Sequence, residues 1–273
     1  MIYSIKYNKH SAIIKEAQEI RIKLDMNDLS IFTTFIPEHI NQRIVICIDD
    51  LEECINNKYI KKISNIVEEK YPKANIAIRL SEYEEELLPQ LKECKIDFFF
   101  NKFINNWEEL HKYINLGVSD LYIVEDLCFE LDKVKKIVNN IKIRTFPNVS
   151  QKRVAETSPI KTFFIRPEDV NIYSKYVDIL EFFGDGKKDE IYYKIYNNDK
   201  KWYGDLQELI IDLGEDIDSR FIIPKFAEKR IKCGRKCLKG DNCKICDRIL
   251  ELSQNLKESK LIVRIDKEEK NNG

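Results

Sequence analysis

A continuously apolar run, Arg43-Ile44-Val45-Ile46-Cys47-Ile48, decides the fold class of this chain. A strand with one face in water alternates apolar and polar residues, whereas this run is apolar at every position after Arg43. Such runs are typical of strands that are covered on both faces, as in a parallel sheet flanked by helices. The run therefore predicts a buried parallel strand.

The same unit, an apolar run followed by an amphipathic helix pattern, recurs along the chain. Further strand candidates are 2–7, 19–24, 75–80, 96–100, 121–124, 141–146, 162–165 and 177–183. Helix patterns cover 59–70, 82–92, 107–116, 131–139, 190–196 and 206–213. Strand starts recur roughly every 20 to 30 residues, which leaves room for crossover helices and predicts parallel pairing.

This order favours an α/β fold, a parallel (β/α)8 TIM-type barrel. Nine strand candidates compete for eight places, so one of the first two is expected to be an accessory strand. An open doubly wound sheet is the alternative, but the Gly-rich phosphate loop that usually follows its first strand is absent from the sequence. We expect residues 1–186 to form the barrel core and 187–273 a helical appendage of the same domain.

The composition limits the classes of function. The chain has 273 residues, with 46 Lys and Arg against 47 Asp and Glu, so net charge gives no drive toward nucleic acid. No apolar run reaches the roughly 18 residues that span a bilayer, and the N-terminus has no signal-peptide core. We therefore expect a cytoplasmic protein without a membrane partner. In that compartment its eight cysteines are thiols or metal ligands rather than disulfides.

Four of these cysteines, Cys233, Cys237, Cys243 and Cys246, form a C-x3-C-x5-C-x2-C pattern. Close spacing lets thiolates bind one ion, and the neighbouring lysines and arginines offset their negative charge. Four buried thiols or a disulfide pair are the alternatives. The pattern favours a C-terminal metal knuckle that holds either zinc in a closed site or an iron–sulfur cluster of the 4Fe-4S type.

Polar residues follow several predicted strands, where barrel chemistry gathers. The candidate catalytic residues are Arg79, Glu125, Asn148, Arg166 and Glu181. The arginines suit a carboxylate or phosphate, and Glu125 or Glu181 suits a general base. Helix capping and ordinary strand ends are the alternative explanation for each of them. A charge inside an apolar run, as at Arg79 and Arg144, needs a partner.

One sequence pattern of this chain resembles peptidase family U-32. It consists of Leu116-Gly117-Val118, a strand followed by Glu125-Asp126-Leu127, and the later Asn148-Val149. The segment 176–184, which ends in a glutamate and a short apolar–glycine turn, is also similar to that family. The resemblance covers about residues 43–185. It implies a TIM barrel and, for many members, oxygen-independent hydroxylation of RNA bases or quinone precursors with a four-cysteine iron–sulfur cluster. The compact cysteine spacing departs from the family pattern.

Two function classes follow. The first is a U-32-like metalloenzyme that hydroxylates RNA or a small aromatic substrate. The second is a zinc-knuckle barrel that acts as an accessory factor. In that case the basic segment 225–244 contacts nucleic acid phosphates or a partner protein.

Overall fold

One parallel sheet forms the centre of the molecule. The computed structural model describes residues 1–7, 12–24, 31–49, 59–81, 83, 87–150, 159–183, 187–197, 201–214, 217–223, 225–235 and 243–258. Within this part of the chain, the strands are β1 (Ile2–Lys6), β2 (Glu19–Lys23), β3 (Arg43–Ile48), β4 (Asn75–Leu80), β5 (Asp97–Phe100), β6 (Phe103–Ile104), β7 (Asp120–Ile123), β8 (Lys142–Thr145) and β9 (Ile179–Glu181). Their order is β5-β4-β3-β2-β1-β9-β8-β7-β6. The predicted parallel α/β class is confirmed.

The strands pair where their apolar runs coincide. Ile44 and Ile46 of β3 lie opposite Ile76 and Ile78 of β4, and all four are buried. Burial of each such side chain contributes roughly 1.5–3 kcal/mol relative to exposure. The sheet is curled, and only two residues separate β5 from β6 at the two ends of the strand order.

Helices connect most of the strands. Their bounds are α1 (Ile36–Glu38), α2 (Tyr59–Lys70), α3 (Leu88–Glu93), α4 (Trp107–Leu116), α5 (Leu131–Ile137), α6 (Val170–Tyr173), α7 (Lys187–Asn197), α8 (Phe226–Arg230) and α9 (Ile245–Glu258). The best-capped is α4: the Asn106 side chain accepts from the Glu109 amide at 2.9 Å, and Gly117 ends the helix with φ of 77°. These caps fix where α4 begins and ends.

Three predictions about secondary structure were wrong. The segment 162–165 is not a strand, and both early candidates, β1 and β2, belong to the sheet. The segment 206–213 contains only a short 3-10 helix, Leu206–Glu208, capped by Asp205. Both segments are rich in buried apolar residues. Burial without an unambiguous period does not distinguish a strand or helix from a packed loop.

The helix α7 packs on β1 and extends the core beyond the sheet. The Tyr3 hydroxyl on β1 donates to the Tyr196 carbonyl at 3.0 Å, and Tyr193 and Tyr196 are buried. This packing positions the start of α7 beside the carboxyl end of β1. Among the helices that the structure describes, none has the length and apolar character needed to cross a membrane.

Candidate functional site

The interior of the sheet holds a layer of buried charges near the start of the strands. Arg43 on β3 donates to Glu19 at 2.8 Å and to both oxygens of Asp120, at 2.7 and 2.6 Å. Arg144 on β8 donates to the same two carboxylates, with 2.6 Å to Asp120. Its guanidinium carbon also lies 4.6 Å from the centre of the Phe99 ring. Burial alone raises the pKa of Asp120, but Arg144 and Arg43 more than offset it and lower the pKa to about 2.

Glu181, at the end of β9, carries a second layer of charges above the first. It accepts from Arg21 at 2.7 Å, from the Tyr122 hydroxyl at 2.7 Å and from Arg144 at 3.0 Å. Burial alone raises the pKa of Glu181, but Arg21, Arg144 and Arg79 outweigh it, so that the pKa is lowered. A general base works best with a pKa near the operating pH. The contacts therefore favour Glu181 as a permanent anchor for arginines rather than as a base.

A cavity of about 270 Å³ opens above this second layer at the carboxyl ends of the strands. Its position is the one expected for the active site of a parallel barrel. Four cations and two carboxylates line it, together with a thiol, an amide and aromatic rings. The lining residues are Lys6, Arg21, Lys23, Cys47, Asp49, Arg79, Asn101, Phe103, Phe146, Glu181, Phe182 and Phe183.

Arg79 differs from the other arginines of the interior in how few of its donors are used. Its Nη1 atom lies 3.4 Å from Glu181 and 3.4 Å from the Tyr122 hydroxyl, both long contacts. Within the described part of the chain, its Nε and Nη2 atoms have no hydrogen-bond partner. Burial alone lowers the pKa of Arg79, but Cys47, Tyr122 and Glu181 raise it, so the side chain stays charged. Arg79 thus offers a charged fork to a ligand in the cavity.

Arg79 and Glu181 are the two predicted catalytic residues that the structure brings together at the cavity. Asn148 lies beside it and clamps Phe183: its Nδ2 donates to the Phe183 carbonyl and its Oδ1 accepts from the Phe183 amide, both at 3.0 Å. Arg166 is buried elsewhere and forms a bidentate pair with Asp169, at 2.7 and 2.9 Å. Arg166 also donates to the Ser219 carbonyl, so it has a structural role in these contacts.

Glu125 begins the 3-10 helix that follows β7, with a positive φ of 48°. It is half-buried and is not among the described residues that line the cavity. A non-glycine residue in the left-handed region costs free energy, and such residues are frequent at functional sites. Its predicted role as a general base stays a prediction.

The four predicted metal ligands lie in residues 233–246, called here the cysteine segment. Its first residues contact the 3-10 helix Glu125–Phe129 that follows β7. The Gly234 amide donates to the Phe129 carbonyl at 3.0 Å, and Arg235 pairs with Asp126 at 3.0 Å. The Arg235 amide also donates to the Cys233 sulfur at 3.4 Å. Cys237 lies outside the described residues. Cys243 is exposed and Cys246 half-buried, and the described residues contain no cluster of three or more potential metal ligands.

Part of the basic segment 225–244 faces inward. The Arg230 guanidinium carbon lies 4.5 Å from the Phe164 ring centre and 5.0 Å from that of Phe226, and Arg230 donates to the Phe164 and Thr162 carbonyls. Arg230 and Arg235 are both buried. These two cations hold this part of the segment on the protein. Among the described residues of the segment, the exposed lysines that could contact phosphates are Lys225, Lys229, Lys232 and Lys244.

Several cavity residues escaped the sequence analysis. Arg21 and Lys23 belong to the alternating strand Glu19-Ile20-Arg21-Ile22-Lys23, in which the charged side chains share one face. Glu19 and Arg21 on this face are buried in the interior of the sheet, and the alternation was the available signal for them. Lys6 and Cys47 gave no comparable signal, because a terminal lysine and a thiol in an apolar run are ordinary.

Neither a protein-family model nor a curated protein matches the chain. The resemblance to peptidase family U-32 therefore remains a prediction.

Proposed function

We propose that the protein is a closed barrel, eight-stranded if β5 and β6 are counted as one interrupted strand, and that it binds a small anionic ligand, a carboxylate or a phosphate, in the cavity at the carboxyl ends of its strands. Closure is supported by the two end strands of the sheet, β5 and β6, which are separated by only two residues of chain. Because β5 pairs with β4 and β6 pairs with β7, this short connection brings the two ends of the sheet together. The Ser119 amide before β7 also donates to the Phe98 carbonyl of β5, at 2.8 Å. An experimental structure with β5 and β6 apart from β7 would refute closure.

The observation that carries the proposed ligand class is Arg79. A guanidinium group recognises carboxylate and phosphate oxygens through two parallel N–H donors. Among the residues that the structure describes, the Nε and Nη2 atoms of Arg79 have no hydrogen-bond partner, and Lys6 and Lys23 line the same cavity and add positive charge. Asp49 offsets Lys23, with which it pairs at 2.9 Å. Apart from this pair, three cationic residues and one carboxylate line the cavity, and this excess of positive charge favours the binding of an anion.

The experiment is calorimetric titration of acetate and of inorganic phosphate into the wild type and an Arg79→Gln variant. One hydrogen bond to a charged group contributes about 1.5–3 kcal/mol, so we expect the variant to lose roughly 10- to 150-fold in affinity. The variant is expected to fold, because Glu181 keeps Arg21, Arg144 and Tyr122. Arg248→Gln, an exposed arginine on α9, is the matched control. Equal anion affinity in wild type and Arg79→Gln would refute the proposal.

A second candidate function concerns the cysteine segment, which we propose binds zinc or a 4Fe-4S cluster through Cys233, Cys237, Cys243 and Cys246. The supporting observation is the amide of Arg235 that donates to the Cys233 sulfur, since such a donor stabilises a thiolate. Gly234 and Arg235 have φ of 53° and 51°, and these two left-handed residues form a tight turn directly after the first cysteine. Such a turn suits a ligand loop.

Metal analysis and an absorption spectrum of anaerobically purified protein test this second function. A brown protein with absorption near ~400 nm would favour the U-32-like enzyme that hydroxylates RNA or a small aromatic substrate. A colourless protein with one zinc per chain would favour the accessory factor, with nucleic acid as a partner of the basic segment. A protein without metal would refute both.

A further inference from the structure

One wall of the cavity is built from stacked aromatic rings. Phe146, directly after β8, lies parallel to Tyr122 with 5.6 Å between ring centroids and 7° between planes. Phe103 and Phe183 meet Phe146 edge-on, at 5.4 and 6.2 Å. These are the offset-stacked and edge-to-face geometries that aromatic pairs prefer. The three phenylalanines belong to β6 and to the ends of β8 and β9, so this wall covers one side of the cavity.

Two of these rings are unusually exposed for their size. Phe103 is 47% exposed and Phe183 56%, whereas Phe146 is 8% exposed. A scattered apolar residue on the surface needs no explanation, but two that flank the same cavity form a local apolar edge. Asn148 fixes the Phe183 backbone through two hydrogen bonds, so this ring is held at the cavity from a defined backbone position.

The opposite side of the cavity is cationic. Lys6, Arg21, Lys23 and Arg79 come from β1, β2 and β4, whereas the phenylalanines come from the other half of the sheet. The cavity therefore has two chemically distinct walls, one that suits negative charge and one that suits a ring face or edge. A fully charged ligand such as phosphate would use the first wall and leave the second one exposed to water.

We infer that the ligand is a single-ring aromatic carboxylate, whose carboxylate contacts Arg79 while its ring packs against Phe103, Phe146 and Phe183. This inference rests on the proposed anion site and narrows its substrate class. The volume of about 270 Å³ lies just below the roughly 300–1,000 Å³ of sites for drug-sized ligands. A single ring with one carboxylate suits that volume better than a nucleotide within a folded RNA.

The test compares three probes of increasing complementarity: acetate, cyclohexanecarboxylate and benzoate. All three probes carry one carboxylate group, and only benzoate has an aromatic ring. Favourable aromatic geometry contributes about 0.5–1.5 kcal/mol beyond buried area, so we expect benzoate to bind roughly 2- to 12-fold tighter than cyclohexanecarboxylate. Acetate should bind more weakly than both, because it buries no ring.

A Phe103→Ala/Phe183→Ala variant should lose most of this preference and bind benzoate at least about threefold more weakly than the wild type does. Both rings are largely exposed, so their removal leaves the core intact. Tyr203→Ala, which removes a 66% exposed ring that is not among the described residues lining the cavity, is the matched control.

The outcomes separate the inference from the function on which it rests. Equal affinity for benzoate and cyclohexanecarboxylate, with an Arg79-dependent acetate site, would overturn the aromatic inference and leave the anion site standing. A double alanine variant that keeps the preference for benzoate would overturn the aromatic inference in the same way. If none of the three probes binds but inorganic phosphate does so through Arg79, the aromatic inference fails and the anion site stands. If phosphate does not bind either, both fail.

Discussion

Replacing Asp120 by Asn should destabilise the protein strongly at neutral pH. The Asp120 carboxylate is buried and accepts from Arg43 at 2.7 and 2.6 Å and from Arg144 at 2.6 Å. An amide removes the negative charge and leaves the two guanidinium groups with less compensation. Breaking a buried ion pair by removing one partner costs about 3–5 kcal/mol, so we expect a loss of that size in the free energy of unfolding.

The pH dependence of this loss follows from the pKa of Asp120. Its pKa is lowered from 3.8 to about 2 in the folded protein. That lowering of the pKa corresponds to roughly 2 kcal/mol of stabilisation, because one pKa unit equals about 1.36 kcal/mol. Because the folded pKa is depressed, this stabilisation is fully present above pH 3.8 and is lost as the pH falls through 2. At pH 3 the wild type has lost roughly half of this stabilisation, about 1 kcal/mol.

Urea unfolding followed by circular dichroism at about pH 7, 4.5 and 3 measures both effects. The difference between wild type and Asp120→Asn should be constant at the two higher values and should narrow by about 1 kcal/mol at the lowest. Asp97→Asn is the matched control, since Asp97 is half-exposed and lies 4.0 Å from Lys142. An exposed pair of this kind contributes at most about 1 kcal/mol. A variant as stable as the wild type at neutral pH would refute the reasoning.

Two further predictions concern the C-terminal part of the chain. Arg230→Met removes the buried donor of the Thr162 and Phe164 carbonyls, which should lower the free energy of unfolding by about 1–3 kcal/mol. Limited trypsin digestion should then cut the variant faster than the wild type near Lys229. An unchanged digestion rate would contradict this. Cys246→Ser should release the bound metal, measured by elemental analysis, whereas Cys94→Ser should retain it because Cys94 lies outside the cysteine segment. Full metal content in Cys246→Ser would exclude that residue as a ligand.

The strands were predictable because their burial is local information. The run 43–48 is apolar on both faces, and the structure pairs it with neighbours on both sides. The surplus candidate 162–165 is just as apolar, yet it packs as a loop under α8, where Arg230 donates to its carbonyls. Nothing in the segment itself distinguishes the two cases, since the difference lies in a partner about 65 residues further along the chain.

The candidate site was predictable only in part, for a related reason. A charge inside an apolar strand, as at Arg79, needs a partner or a ligand, and this signal identified both Arg79 and Arg144 correctly as unusual. Arg166 has the same local appearance, but a carboxylate three residues away satisfies it. An arginine whose N–H donors are all hydrogen-bonded within the protein has a structural role, whereas one with unbonded donors can bind a ligand. The number of bonded donors depends on the folded structure and cannot be read from the sequence.

The buried charges explain why we propose the anion site in the cavity and not elsewhere in the interior. Among the described residues inside the sheet, four arginines meet four carboxylates, and this set of eight is formally neutral: Arg21, Arg43, Arg79 and Arg144 with Glu19, Asp120, Glu181 and Asp189. Among these four arginines, Arg43 and Arg144 are held by short bonds, whereas the contacts of Arg79 to Glu181 and to the Tyr122 hydroxyl are both 3.4 Å long. An entering anion can therefore bind Arg79 without breaking a strong contact. Glu181 keeps its charge in that step, because its other three donors remain.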